Sequence, residues 1–298
     1  MSESRAFDSE TPLPDDTLAQ REKTLLGFDA RYGRVRDQLR LLLQADELAA
    51  WNKRHHKGRL ALAQLAAEQY PLIIFHGDVG TGKTVAAECI ANRLVAEARA
   101  GDAVLFKLSN RVRGAGLVGE MGTGIVDAFQ RVAKSAGKSR RAVLVIDEGD
   151  SLGASRSQEH SHHEDKVAVN TLIQEIDDLR RHGGRVVVFL CTNRLSMLDP
   201  ALRRRAALVE EFRRPGDDER RELFEKDLGA LSPSPAEVER LVRLTGERDG
   251  GPEFTFSDIR TRLYPAALAK AFPAKALAFG DLEASAAAMR ASPRLEDR

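Results

Sequence analysis

Leu72-Ile73-Ile74-Phe75-His76-Gly77-Asp78-Val79-Gly80-Thr81-Gly82-Lys83-Thr84 decides how the rest of the chain is read. The opening apolar run predicts a strand buried on both faces, and the Gly77–Thr84 run satisfies G-x-x-x-x-G-K-[ST] in full. Glycines let the backbone curl so that consecutive N–H groups point at phosphate oxygens. The helix expected over Val85 to Leu94 adds its positive end. Asp78, Val79, Gly80, Thr81, Gly82, Lys83, Thr84 and Val85 are therefore the candidate phosphate-binding residues. In such a loop Lys83 reaches the β- and γ-phosphates and the Thr84 hydroxyl ligates Mg²⁺.

Outward from this loop, short apolar runs alternate with helical stretches. Ala103-Val104-Leu105-Phe106, Ala142-Val143-Leu144-Val145-Ile146 and Val186-Val187-Val188-Phe189-Leu190 read as further strands, with a weaker one near Leu208 to Phe212. Continuous apolar strands separated by helices predict an α/β fold, a parallel five-stranded sheet flanked by helices. From Gly33 to Leu65, leucines and alanines recur at helical spacing. Arg213-Arg214-Pro215-Gly216-Asp217-Asp218 ends the alternation, and the remainder reads as helical. The expected organisation is a flexible N-terminal tail over 1–20, a large α/β domain with N-terminal helices over 21–214, and a small helical domain over 215–298.

The third strand runs into Asp147-Glu148, placing two carboxylates at the carboxyl end of a buried strand, where α/β sheets bind ligands. Asp147 would hold magnesium through water, and Glu148 would orient and polarise an attacking water. A GTPase would carry an Asn-Lys-x-Asp base reader, but Asn52-Lys53-Arg54-His55 lacks the acid and precedes the loop. Small-molecule kinases share the loop without needing a base of the Glu148 type.

Composition narrows the choice further. The 298 residues carry 46 Lys and Arg against 45 Asp and Glu, a formal charge of +1, so no large basic field awaits nucleic acid or an anionic membrane. Mean hydropathy is −0.35, and no apolar stretch approaches the roughly 18 residues of a membrane span. The start, Met1 to Asp16, is acidic and polar, unlike a secretory signal, and the two cysteines, Cys89 and Cys191, sit in apolar runs. A cytoplasmic protein without a disulfide framework is expected.

The order of these features, from about Leu26 to Pro293, resembles the AAA+ ATPases. The resemblance implies ATP and Mg²⁺ as ligands, a helical lid after the α/β domain, and assembly into a homo-oligomer, usually a hexamer. Phe28-Asp29-Ala30-Arg31-Tyr32-Gly33 is similar to the family's adenine-contacting segment. Asn193, ending the fourth strand, resembles the sensor that places the attacking water; alone it reads equally as a turn cap. Leu198-Asp199-Pro200-Ala201-Leu202-Arg203-Arg204-Arg205 is similar to the arginine-finger segment, which implies that Arg204 and Arg205 act on a neighbouring subunit's γ-phosphate. Gly116-Leu117-Val118-Gly119-Glu120 falls where AAA+ remodellers carry a pore loop, so Leu117, Val118 and Gly119 are the implied substrate contacts, although the family usually has an aromatic at the Leu117 position. Phe254 to Arg262 resembles the helix of a second sensor, with Arg260 as its phosphate contact; the usual preceding glycine is missing.

Within the family, Ser161-His162-His163-Glu164-Asp165-Lys166 and the following Val167 to Asp177 look closest to the HORMA-remodelling ATPases of the pachytene-checkpoint type. Bacterial relatives of that group are associated with antiphage operons containing a cyclic-nucleotide synthase. The resemblance implies a protein partner, a HORMA-like one, while the charge balance and the lack of a long apolar stretch count against nucleic acid and a membrane as partners. The competing reading is a DNA-associated loader or motor, against which the near-neutral charge counts. His160, His162 and His163 form no metal pattern, since no Cys or regularly spaced third ligand accompanies them.

Overall fold

The computed structural model describes residues 6–98, 102–113, 120–137, 140–152, 163–248 and 250–295. They fall into two units, 6–76 with 84–211, and 77–83 with 212–295. The border at Glu211/Phe212 lies three residues ahead of the break expected after Arg214, and the phosphate loop itself groups with the second unit.

The first unit is built on a sheet ordered β1-β3-β4-β5-β2-β6. Its strands are β1 (Phe7–Leu13), β2 (Leu72–Gly77), β3 (Ala103–Leu108), β4 (Arg141–Ile146), β5 (Val186–Thr192) and β6 (Ala206–Phe212). All five expected strands are present, and β3, β4, β5 and β2 pair in parallel, with Phe106 opposite Leu144, Leu144 opposite Val188, and Leu72 opposite Val188. For the described residues 6–20, the sixth strand corrects the expectation of a flexible tail over 1–20. β1 runs antiparallel to β3, pairing Glu10 with Phe106, and α1 (Asp16–Glu22) follows, its first turn capped by Asp15 through Leu18 N at 2.8 Å. The physical reason is that Phe7 and Leu13 are buried, with the Phe7 ring 4.9 Å from that of Phe106. Two anchors and a ladder of backbone bonds order a segment whose other residues are polar.

Helices follow the periodic stretches: α2 (Phe28–Leu43), α3 (Ala45–His56), α4 (Ala61–Ala67), α5 (Lys83–Glu97), α6 (Glu120–Ala136), α7 (Gly149–Leu152), α8 (His163–Leu179) and α9 (Pro200–Arg205). One sheet face buries Leu72, Ile74, Leu144, Ile146, Val188 and Leu190 in a core with Ile125, Phe129 and Val132 of α6 and Leu172 and Ile176 of α8. The alternate residues Ile73, Phe75, Val143, Val145 and Phe189 are equally buried on the other face, so both sides of the sheet are covered. Truncating Phe129, 1% exposed, to Ala would cost about 3–5 kcal/mol.

The second unit is helical, as expected, with α10 (Asp217–Asp227), α11 (Pro235–Leu244), α12 (Tyr264–Ala271) and α13 (Phe279–Ala288). Ser234 and Glu237 cap α11 reciprocally, and Pro235 opens it. A π-wound turn, Asp258–Leu263, leads directly into α12, where Pro265 near the helix start removes one N–H from the ladder.

Candidate active site

In the second unit, the phosphate loop is shaped by three glycines at positive φ: Gly77 at 134°, Gly80 at 77° and Gly82 at 92°. A Cβ on Gly77 would stand 2.1 Å from the Phe212 carbonyl oxygen, so any larger residue would displace the loop. The Lys83 ammonium is buried and donates to the carbonyls of Gly77 at 2.9 Å and Asp78 at 2.8 Å, which folds its chain back over the loop. Thr81 Oγ1 donates to the Asp78 carbonyl at 2.7 Å, and Val79 is exposed.

In the first unit, α5 carries Thr84 and half-buried Val85, and β4 delivers Asp147. Thr84 Oγ1 donates to Asp147 Oδ2 at 2.9 Å, which brings together the two residues expected to serve one metal. Glu148 is exposed, sits at φ 50°, and donates its N–H to Asp147 Oδ1 at 2.9 Å. A non-glycine residue in this left-handed region marks a locally over-determined backbone, a feature that clusters at active sites. Asn110 Nδ2, just past β3, donates to Glu148 Oε2 at 3.3 Å. The sequence reading missed Asn110, although a polar residue at the carboxyl end of a parallel strand is a usable signal. It also missed Asp150, whose Oδ1 accepts from Thr192 Oγ1 at 3.1 Å and from Asn193 N at 3.4 Å, fixing the end of β5.

The arginine segment divides. Asp199 caps α9 by accepting from Ala201 N at 2.8 Å, and Pro200 opens the helix, which explains its short turn into the arginines. Arg204 is exposed. Arg205 is forked onto Asp177 of α8, at 2.5 Å from Nε and 2.9 Å from Nη2, and lies 5.5 Å from the Tyr70 ring centroid. In the second unit Arg260 likewise forks onto Asp227, at 2.7 and 2.8 Å. The adenine-contact expectation at Phe28 to Gly33 meets a different local structure: these residues open α2, and Phe28 and Tyr32 are buried and stacked at 6.2 Å. Burial first, then the bond to Glu97 at 2.5 Å, push the Tyr32 phenol far above its ordinary value. Leu117, Val118 and Gly119, like His160 and His162, lie outside the described residues. Burial pushes the Cys89 thiol up to about 12, so it is an inert packing group.

A model of the ATPase family associated with various cellular activities (AAA) matches residues 73–214, from β2 to the end of the arginine pair beyond β6. CD-NTase-associated protein 6 of Escherichia coli strain KTE188 is 61% identical over 297 residues, covering 100% of both chains. The chain belongs to the AAA ATPase family. Among solved structures, this AAA ATPase superposes on a chain of the E. coli MS115-1 HORMA:CdnC:Trip13 complex with a TM-score of 0.88 and 36% identity, over 97% of each chain. Rhizobiales Trip13 gives a TM-score of 0.71 at 31% identity, over 96% of this chain and 99% of that one. The resemblance to the pachytene-checkpoint type therefore holds over the whole length. Nucleotide binding and ATP hydrolysis follow from the family, and among the described residues no helix is long and apolar enough to cross a membrane.

Proposed function

We propose that this AAA ATPase uses MgATP hydrolysis to remodel a HORMA-like protein, acting beside a nucleotide cyclase in antiphage signalling. The observation that carries the reading is its full-length likeness to a chain of the HORMA:CdnC:Trip13 complex. The donor set fits the ligand. Positive-φ glycines free the loop N–H groups, a buried ammonium lies along the loop, and a hydroxyl and a carboxylate stand 2.9 Å apart at the metal position. Magnesium, when bound, would neutralise charge on the transferring phosphoryl group; Thr84 would hold it directly and Asp147 through water.

The chain's own residues divide the remaining work. Residues 78–85 hold the phosphates, and Lys83 meets the charge on the β- and γ-oxygens. Glu148 takes the proton of the water that attacks the γ-phosphorus, while ADP leaves with the electrons of the broken P–O bond. Asn193 orients that water, and Asn110 sets the position of the Glu148 carboxylate. Arg204, exposed on α9, stabilises the γ-phosphate of a neighbouring copy in a hexameric ring, whereas Arg205 anchors the helix through Asp177. Arg260 reaches phosphate only after leaving Asp227. Leu117, Val118 and Gly119 grip the partner's flexible terminus.

The test is to express Glu148→Gln in the native host with ATP and identify co-purifying chains by mass spectrometry. A HORMA-domain protein, alone or with a nucleotide cyclase, supports the reading. Nucleic acid or DNA-processing proteins would replace it with the loader alternative.

A further inference from the structure

The second unit contains a network that the ATPase chemistry does not require. Arg214 is 3% exposed at its side chain and Asp78, in the phosphate loop, 9%. Arg214 Nε donates to Asp78 Oδ2 at 2.6 Å, and Nη1 donates to the Glu253 carbonyl at 2.6 Å. Nη2 donates to the carbonyls of Ser292 at 2.9 Å and Pro293 at 3.0 Å. The other Asp78 oxygen accepts from Val79 N at 2.9 Å and from Leu295 N at 3.3 Å, 217 residues away along the chain.

A second set of bonds ties the same segment to the loop's middle. Ser257 N donates to the Gly80 carbonyl at 3.0 Å, and a Cβ on Gly80 would meet Ser257 Cβ at 2.7 Å and Thr255 Oγ1 at 2.8 Å. The Thr255–Ser257 turn is held by Asp258, 1% exposed, whose Oδ2 accepts from Thr255 N and Ser292 N, both at 3.1 Å. Its Oδ1 accepts from Ser292 Oγ at 2.7 Å and from Arg262 at 2.6 Å. Arg262 also donates to the Arg290 carbonyl at 3.3 Å. Residues 290–295 have no helix or strand of their own, yet their backbone is spoken for by side chains from 78, 214, 258 and 262. An irregular segment with this many charge-assisted partners is held by design of the sequence rather than by its own periodicity.

We propose that residues 290–295 are a positioning strap for the phosphate loop, fixing it at Asp78 through Arg214 and at Gly80 through the Asp258-held turn. Nucleotide affinity then depends on a segment more than 200 residues along the chain from the phosphate loop. The inference rests on the reading of 77–84 as the phosphate loop. An intact strap presents the loop N–H groups already converged. A loosened one must order them on binding, so the loss falls on affinity and not on the chemical step.

Three variants test this: deletion of 291–298, Leu295→Pro, which removes a single N–H donor, and Arg214→Lys, which keeps the charge but not the fork. ATP affinity is read with a fluorescent ATP analogue in the Glu148→Gln background, and kcat and KM in chains retaining Glu148. The deletion is expected to weaken binding about tenfold, and the two substitutions several-fold, raising KM while kcat at saturation stays within about twofold. Unchanged affinity in a folded variant overturns the strap, as does a fall in kcat and thermal stability with KM unmoved. If the deletion does not fold, the substitutions decide by the same criterion. Lys83→Ala runs in parallel: if it binds the analogue as tightly as the unaltered chain, the phosphate-loop reading beneath fails; if it alone loses binding, only the strap fails.

Discussion

Two arginine runs, Arg203-Arg204-Arg205 and Arg213-Arg214, look alike in sequence, the first closing α9 and the second directly following β6. Their fates differ because of what the fold places around them. Arg204 is left in solvent, Arg205 finds one half-exposed carboxylate, and Arg214 is enclosed with a carboxylate and three backbone carbonyls. A guanidinium has five donors in a fixed fork, so its role is set by the number of acceptors within reach. Solvent exposure leaves a guanidinium free to act on another chain, and saturation of its donors makes it architecture.

The sharpest way to break this contrast is Arg204→Ala. A finger supplied by a neighbouring copy is worth about three to five decades in kcat, so steady-state ATPase should collapse while the melting temperature holds. If activity survives there and is lost in Arg205→Ala, the assignment reverses. Next is Arg214→Ala, which leaves the Asp78 carboxylate buried and unpaired at a cost of about 3–5 kcal/mol, read by urea unfolding. A smaller loss would mean that water enters the strap freely.

Acid titration sharpens the buried side of the comparison. Burial raises the Asp258 carboxyl, but bonds from Ser292, Thr255 and Arg262 outweigh it and hold the group below its ordinary value of 3.8. Its contribution to stability is therefore fully present above that ordinary value and lost as pH falls through the depressed one. Unfolding free energy measured downward from pH 5 should drop at the acid end, and Asp258→Asn, which does not titrate, should flatten that slope. The smallest effect is expected for Arg205→Ala. Its ion pair with Asp177 is 24% and 38% exposed at the two side chains, and such pairs contribute about 1 kcal/mol or less.

What was legible in the sequence follows the same division. β2, β4 and β5 announce themselves because strands buried on both faces need unbroken apolar runs, and the loop announces itself because phosphate binding demands glycine and lysine at fixed spacing. Thr84 and Asp147 could be matched because each sits at a strand or helix end whose chemistry is local. β1 was hidden, since only Phe7 and Leu13 of its seven residues are buried and its order comes from pairing with β3. Arg214 was hidden for a related reason. It reads as a polar break between domains, and its partners lie 136 and 78 residues away. The Phe28 to Gly33 segment, similar in sequence to an adenine-contacting segment, instead has Phe28 and Tyr32 packed at the start of α2.

The antiparallel strand has a consequence for solubility. β3 reads Ala103-Val104-Leu105-Phe106-Lys107-Leu108, and without β1 its unpaired N–H and C=O groups would face outward beside an apolar surface, a template for aggregation. β1 replaces that edge with one bearing Asp8, Glu10 and Pro12, which offers few partners to a foreign strand. Proteolytic removal of residues 6–13 would thus be felt first as self-association of otherwise folded chains, before any loss of nucleotide binding.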